Sequence, residues 1–322
     1  METNGIIKKI IWTVVVISIV FTILALRKPN AKARNGELEG TISISGAFAL
    51  YPIAVRWGEE FRKIHPGVKF DISAGGAGKA ISDVLGGLVD LGAVSRKIYP
   101  EEVQKGAHAF AVARDAVVAT MNSANPNLNG LLEKGLTQSM FARIYGSDSY
   151  TNWTQVGFAI SAPLHVYTRS DASGAGETWA GYLGRKQEDL GGIGLFGDPG
   201  LLQAVLKDPD GIGYNTISYA FDAKTRKPLP GIRIVPIDLN GNGKIDADEN
   251  FYNTLDDLNR AVAWGKYPSP PSRNLYFVSK NEPQRKELIV FLEWVLSDGQ
   301  KFLDEAGYVG ATKGTSEKEQ KD

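Results

Sequence analysis

The 322-residue sequence predicts an α/β protein of two lobes with a ligand cleft between them. Two observations carry this prediction. The order strand–helix–strand–helix–strand over residues 40–95 implies a parallel sheet with crossover helices. Two glycine-rich loops, "SAGGAGK" at 73–79 and "DASGAGETW" at 171–179, each follow a strand and open a helix. Helix starts that face each other across a cleft form a ligand site.

The elements follow in order. "TISISG" alternates and is β-branched, so it reads as a strand. Pro52 stands where the first turn of a helix begins, and Ile53, Trp57, Phe61 and Ile64 recur at helical spacing. "HPG" ends that helix and "VKFDIS" is the next strand. The first glycine loop leads into Ile81, Val84, Leu85 and Leu88 at helical spacing, and "VDLGAVS" is a third strand. "HAFAVARDAVVATMN" is strand-like and "ANPN" breaks it; Thr137 then caps a helix over "LTQSMFARIYG". "NWTQVG" reads as a turn and "LHVYTRS" as the strand before the second glycine loop. "DPDGIGYNTISYAF" and "GIRIVPID" follow, then the Pro-rich break "YPSPPSR" and the strand "NLYFVSK". The last segment, 283–307, reads as a long amphipathic helix with Leu288, Phe291, Leu292, Val295 and Leu296 on one face.

Composition excludes several functions. Lys+Arg and Asp+Glu balance at 36 each, so no global field favours nucleic acid. With no cysteine there is no disulfide framework, no thiolate metal site, no cysteine nucleophile and no lipid-modified cysteine anchor. His65, His108 and His165 lie far apart, without zinc-ligand spacing. Residues 1–36 read as a signal peptide or membrane anchor. An uncharged run from Ile10 to Leu26 follows Lys8 and Lys9, and Ala31-Lys32-Ala33 has the form of a cleavage site. The excess of positive charge lies after the run. The folded body is therefore expected outside the cytoplasm, either released or held by a transmembrane helix. Residues 312–322 are expected to be a solvated tail.

The two loops point to an anion. A helix start offers unpaired N–H groups and about half a positive charge, and glycine lets the backbone approach closely. The first loop offers Gly75, Gly76, Ala77, Gly78 and Lys79; the second offers Ser173, Gly174, Ala175 and Gly176. Arg169 and Arg96 stand nearby as bidentate cations. The plainer reading is two tight strand–helix turns with solvated arginines. Enzyme chemistry fits poorly: there is no G-x-S-x-G elbow and no GK[ST] motif. Asp71, Asp90, Asp115 and Asp171 read as turn, cap or ion-pair residues rather than acid–base groups.

Taken in order, "GAFALYPIAVRWGEEF", "SAGGAGKAI", "VDLGAVSR", "LTQSMFARIYGSDSYTNWTQVG", "YTRSDASGAGETW", "DGIGY" and "FLEWVLSDGQKFLDEAGYVG" resemble the phosphate-binding receptors of ATP-driven phosphate importers over almost all of residues 40–311. The resemblance implies a type II periplasmic-binding-protein fold: two lobes with central mixed sheets, joined by two chain crossings. It places 37–114 and 255–311 in lobe I and 115–254 in lobe II. It also implies a monomer that holds a largely dehydrated phosphate and delivers it to a membrane permease. Matched residue by residue, the family's contacts fall on Arg169, Ser173 and Gly174, on Ala77 and Gly78, on the Leu50-Tyr51 turn, and on Ser95. This chain departs from the family in side-chain donors. It has Ala175 and Ala77 where many members carry hydroxyls, and no Ser or Thr between Gly46 and Tyr51. Ser95 stands where some members place an aspartate that takes the proton of hydrogen phosphate. Each lost hydroxyl removes about 1 kcal/mol, leaving backbone amides, Arg169, Arg96 and Lys79 to compensate. Asp171 or a second carboxylate would have to accept the proton. Phosphate, sulfate, molybdate and tungstate all remain open. So does a membrane-anchored phosphate sensor or scavenger in place of a transport receptor, or a phosphoester-processing enzyme.

A second motif is independent of the first. "DLNGNGKIDADE", residues 238–249, fits an EF-hand-like calcium loop. Asp238, Asn240 and Asn242 take positions 1, 3 and 5, and Gly243 takes position 6. Lys244 offers its carbonyl at 7, Asp246 stands at 9 and Glu249 at 12. A strand-like segment precedes the loop, so the expected role is a structural Ca2+ rather than a switch. The plainer alternative is an acidic Asn/Gly-rich surface turn.

Overall fold

The computed structural model describes residues 38–147 and 149–311. The apolar run at 10–26, the cleavage motif and the tail at 312–322 lie outside the described residues. Within them, no helix is long and apolar enough to cross a membrane.

Strand β1 (Gly40–Gly46) lies between β2 (Val68–Ala74) and β3 (Leu91–Val94), and both pairings are parallel. Helices α1 (Tyr51–Ile64) and α2 (Ala77–Leu85) are the crossovers. In α1, Ile53, Ala54, Trp57 and Phe61 form the buried face, while Ile64 is left outside. In α2 the face is Ala77, Ala80, Ile81 and Val84. Gly86 and Gly87 turn the chain before Leu88, which is exposed rather than part of that face. After α3 (Pro100–Gln104) comes β4 (Ala107–Asn122), a strand of 16 residues. Helices α4 (Leu128–Lys134), α5 (Gln138–Ile144) and α6 (Trp153–Val156) follow. Thr137 caps α5 as expected, and "NWTQVG" is more than a turn: α6 is a single helical turn held by an Asn152/Gln155 capping box.

The chain continues through β5 (His165–Arg169), α7 (Gly174–Tyr182), β6 (Ile193–Leu195), α8 (Gly197–Lys207), β7 (Gly211–Thr216), α9 (Ile217–Ala220) and β8 (Ile232–Ile234). It ends in α10 (Leu255–Ala263), β9 (Ser272–Lys280) and α11 (Lys286–Leu296), followed by a 3-10 turn at Asp298–Phe302. The last helix is therefore shorter than its pattern suggested, and Leu296 at its end is exposed. The strand order is β2-β1-β3-β9-β4-β7-β5-β6, with β8 also paired to β4. β9 runs antiparallel to β3 and β4, so the sheet is mixed.

Two hydrophobic cores flank this sheet. One gathers residues from Leu38 to Ala113 and from Leu275 to Tyr308. The other gathers residues from Ala116 to Tyr267. Strand β4 serves both: it pairs β9 up to Ala116, shifts register between Ala111 and Ala113, then pairs β7 from Val117. The chain thus crosses twice, at 113–116 and at 267–275. The second crossing falls later than the lobe boundary read at 255. Leu255, Leu258, Ala261 and Val262 of α10 pack into the second core, because an amphipathic period marks a buried face without saying which sheet covers it. Side chains join the crossings. Arg273 Nε donates to Asp115 Oδ1 at 2.8 Å and an Arg273 terminal nitrogen donates to Oδ2 at 3.1 Å, with Asp115 fully buried. Burial pushes the Asp115 carboxyl upward, and Arg273 opposes that push.

Candidate anion site between the two cores

Three helix starts converge where the cores meet. After β1, Gly46 at φ 140° turns the chain into a 3-10 turn over Phe48–Leu50, which runs into α1. After β2, Gly76 at φ 90° precedes α2. The N–H groups of Gly75 and Gly76 both donate to the Gly46 carbonyl, at 2.7 and 3.1 Å, so the two loops are held together. From the second lobe, β5 ends on Arg169 and Ser173 caps α7, its Oγ accepting the Gly176 N–H at 3.1 Å.

These starts meet around a narrow gap that, as the lobes stand, has no room for a water molecule. Ala47, Phe48, Ala49, Gly76, Ala77 and Ser95 line it from the first lobe. Arg169, Ser173, Gly174, Ala175, Asp198 and Thr216 line it from the second. The first N–H groups of a helical turn have no carbonyl within their own element. Those of Phe48, Ala49, Ala77, Gly174 and Ala175 therefore supply main-chain donors at positive dipole ends. The lobes touch around the space. Gly78 N–H donates to the Ala172 carbonyl at 3.1 Å. A Cβ on Gly174 would stand 2.2 Å from Ser95 Oγ and 2.6 Å from its carbonyl oxygen.

Arg169 is the buried cation of the site. Its Nε and one terminal nitrogen donate to Asp171 at 2.8 and 2.7 Å, and the other terminal nitrogen donates to Asp198 Oδ2 at 2.7 Å. Its guanidinium lies 5.5 Å from the Phe48 ring centroid, a contact from one lobe to the other. Burial works against its charge, but Asp198 and Asp171 outweigh burial and hold its pKa above the ordinary arginine value. Asp198 opens α8 and accepts the Thr216 N–H at 2.8 Å, which fixes it against the end of β7.

Of the residues expected from the sequence, the fold brings Ala77, Ser95, Arg169, Ser173, Gly174 and Ala175 to this space. The others lie elsewhere. The Leu50 and Tyr51 N–H groups are spent on Ala47 and Phe48 carbonyls, because the helical turn begins at Phe48, four residues before Pro52. Gly78 spends its N–H on Ala172. Lys79 points away to Asp83 and to Ser45 Oγ at 3.0 Å. Arg96 pairs with Glu102 at 2.9 and 2.6 Å and with Glu177 at 3.2 Å, and stacks 4.4 Å from the Tyr99 ring. Arg96 and Tyr99, which also bonds Glu177, instead bridge the lobes beside a wider, solvent-open space of about 880 Å³. Ala47, Phe48, Ala49, Asp198 and Thr216 carried no signal that the sequence reading used. For Asp198 a signal existed: "GDPG" opening an apolar period is a helix start.

The acidic loop at 238–249 is folded on itself. Asp238 accepts the N–H groups of Gly241 and Gly243, at 2.7 and 2.9 Å. Glu249 accepts those of Leu239, Asn240 and Asp246. Lys244 Nζ stands 2.7 Å from Asp246 Oδ1. Among the described residues no three His, Cys, Asp or Glu side chains are grouped to hold a metal.

Residues 31–299 match the family model for the PBP superfamily domain. The chain belongs to the PBP superfamily. Protein SphX of Synechococcus elongatus is 26% identical over 280 residues, covering 83% of this chain and 77% of that protein. The phosphate-binding protein PstS of Staphylococcus epidermidis is 24% identical over 286 residues, covering 87% of this chain and 81% of its own. Among solved structures, a putative phosphate ABC transporter substrate-binding protein from Clostridium perfringens, with bound phosphate, superposes with TM-score 0.69 at 24% identity. It covers 85% of this chain and 100% of that one. An ABC-type phosphate transport receptor from Vibrio cholerae gives 0.60 at 22%, covering 84% and 100%. At these identities the structures speak for the PBP fold: two cores, a shared sheet and a cleft where helix starts meet.

Proposed function

We propose that this PBP-superfamily protein is an extracytoplasmic solute-binding protein that captures phosphate between its lobes and delivers it to the membrane permease of an ABC importer. The observation that carries the reading is the narrow gap between the lobes, lined by main-chain N–H donors from both of them beside buried Arg169. Relatives named as phosphate-binding proteins, matched over 81% and 68% of their length, support the same solute. The residues lining the space include no histidine, lysine or cysteine. No serine–imidazole or cysteine–imidazole pair is therefore assembled in that lining, which favours carriage over reaction. Charge-assisted hydrogen bonds of about 1.5–3 kcal/mol each replace the water that the anion gives up. Only the closed form supplies both sets of donors, so the anion selects closure. The run at 10–26 is either a removed leader or an anchor on the outer face of the membrane, and the mass of the mature protein separates these. Titration calorimetry tests the function: phosphate binds, and phosphomonoesters are neither bound comparably nor hydrolysed. Heat with no anion, or turnover of an ester, overturns it.

We further propose a structural Ca2+ in the loop at 238–249, held by Asp238, Asn240, Asn242, the Lys244 carbonyl, Asp246 and Glu249. The order of donors and Gly243 at φ 80° support it. Lys244 Nζ would leave Asp246, and the carboxylates would share their backbone bonds with the ion. Ca2+ should raise the melting temperature of the protein, and Glu249→Gln should abolish that rise. Equal melting with calcium and with chelator rejects the site.

A further inference from the structure

Beside the Arg96–Glu177 bridge a cavity of about 530 Å³ reaches the chain crossings. It shares no lining residue with the gap around Arg169. Arg96, Lys97 and Tyr99 line it from the first lobe, and Glu177, Thr178 and Gly181 from the second. Arg114, Ser269, Ser272 and Arg273 line it from the two crossings. Its volume falls in the range of small-molecule pockets, about 300–1,000 Å³. Charge is unevenly spread over these walls: four cations line the cavity and one carboxylate, Glu177. Two of the cations are answered. Arg96 pairs with Glu102 and Glu177, and Arg273 with Asp115. Four cations against those three carboxylates leave a net charge of +1, and Lys97 and Arg114 carry the excess. Lys97 is exposed; Arg114 is half-buried and spends one terminal nitrogen on the Val262 carbonyl at 3.1 Å. Neither has a carboxylate partner among the described residues. Arg273 adds a terminal nitrogen that bonds the Thr178 hydroxyl at 3.3 Å. A half-buried guanidinium without a counter-ion is stabilised by an anion from solution.

The geometry points to a second anion site: this cavity takes a compact polyanion whose negative groups are spaced along it, the chemistry shared by tricarboxylates and condensed phosphates, and its occupant holds the lobes in the arrangement that also captures phosphate. Lys97 and Arg114 bind separate negative groups of the ligand, and guanidinium forks suit carboxylate and phosphoryl oxygens alike. Tyr99, whose ring lies 4.4 Å from the Arg96 guanidinium, and Pro270 supply apolar wall for the rest of it. Both lobes and both crossings contribute to the walls, so a bound polyanion stabilises the arrangement in which those walls stand together. Phosphate between the lobes stabilises the same arrangement, and each ligand therefore raises the affinity of the other by one factor. The cavity's own ligand does not depend on the phosphate reading above; the coupling rests on it.

Calorimetric titration of the full chain with citrate and with pyrophosphate, at constant ionic strength and with phosphate saturating, reads the site. One further equivalent of at least one of them should bind, and the tighter of the two tells carboxylate from phosphoryl chemistry. Lys97→Glu and Arg114→Gln should each weaken that binding at least about tenfold, while phosphate alone binds as in wild type. Lys97 is exposed, so if Arg114→Gln fails to fold, Lys97→Glu decides. In the converse titration the bound polyanion should raise phosphate affinity about fivefold or more. Heat from neither anion overturns the site, and so does binding that both substitutions leave unchanged. A fall in phosphate affinity means that the polyanion competes for the gap at Arg169, which also overturns it. An unchanged phosphate affinity overturns the coupling. If phosphate itself does not bind, the functional reading falls, and citrate and pyrophosphate without phosphate still test the site at Lys97 and Arg114.

Discussion

Gly174 and Ser173 are adjacent and do different work. Ser173 caps α7, so Ser173→Ala should cost about 1 kcal/mol of stability and weaken phosphate binding as well. Gly174 has no such local duty. Its missing Cβ leaves room for Ser95 of the other lobe, which would otherwise be 2.2 Å away. Gly174→Ala should therefore leave the melting temperature of the unliganded protein near wild type and weaken phosphate binding at least about tenfold, since only closure is obstructed. Calorimetry beside thermal melts separates the two variants. Equal affinity for Gly174→Ala would mean that the lobes do not meet at this residue. Arg169, Ser173 and Gly174 were legible in the sequence because a strand, a polar cap and glycines follow one another within a few residues. Phe48 and Ala49 were not. They would contribute main-chain N–H groups, and their apolar side chains carry no mark of it.

At the scale of elements, local periodicity located the buried faces better than their ends. Leu88, Ile64 and Leu296 continued a helical stripe in sequence and are exposed in the fold, because a turn or a helix end intervenes. The β5–β7 edge shows what ties elements together. Asp208 bonds His165 Nδ1 and the Tyr167 hydroxyl, each at 2.7 Å, and accepts the Asp210 N–H at 3.0 Å. Burial favours its neutral form, yet Tyr167, His165 and the Asp210 amide outweigh burial and hold its pKa below the usual carboxylate value. The folded value lies below the unfolded one of about 3.9. The stabilisation is therefore complete above that pH and is lost as pH falls through the depressed folded value. Asp208→Asn should flatten the acid limb of stability against pH, measured by urea unfolding from pH 7 downward. An unchanged limb would show that this carboxylate does not report the edge.

At the scale of the molecule, two crossings join the lobes, and ion pairs including Asp115–Arg273 and Arg96–Glu177 reinforce them. Asp115 and Arg273 face each other across β4 and β9, fully and almost fully buried. Removing one partner strands a buried charge, so Arg273→Ala should cost on the order of 3–5 kcal/mol. Asp115→Asn together with Arg273→Ala should recover part of that in a double-mutant cycle. Phosphate at 100 times its dissociation constant should stabilise the fold by about 2.7 kcal/mol and reduce the radius of gyration in solution scattering. A melting temperature that does not move with phosphate would contradict capture by closure.

The sequence by itself determined most of the strands, the starts of α2, α5 and α7, the two glycine loops and the arginine at the second of them. Each rests on hydrogen bonds and burial periods spanning a few residues, which composition and spacing encode directly. The tertiary structure decided which loops face each other, that α10 joins the second core, and that Arg96 and Lys79 turn to other partners. It also brought Asp198, from a helix that "FGDPG" opens, into the space beside Arg169. Those outcomes depend on strand order and on where β4 passes from one core to the other. That is a long-range pairing, and no short stretch of sequence carries its register.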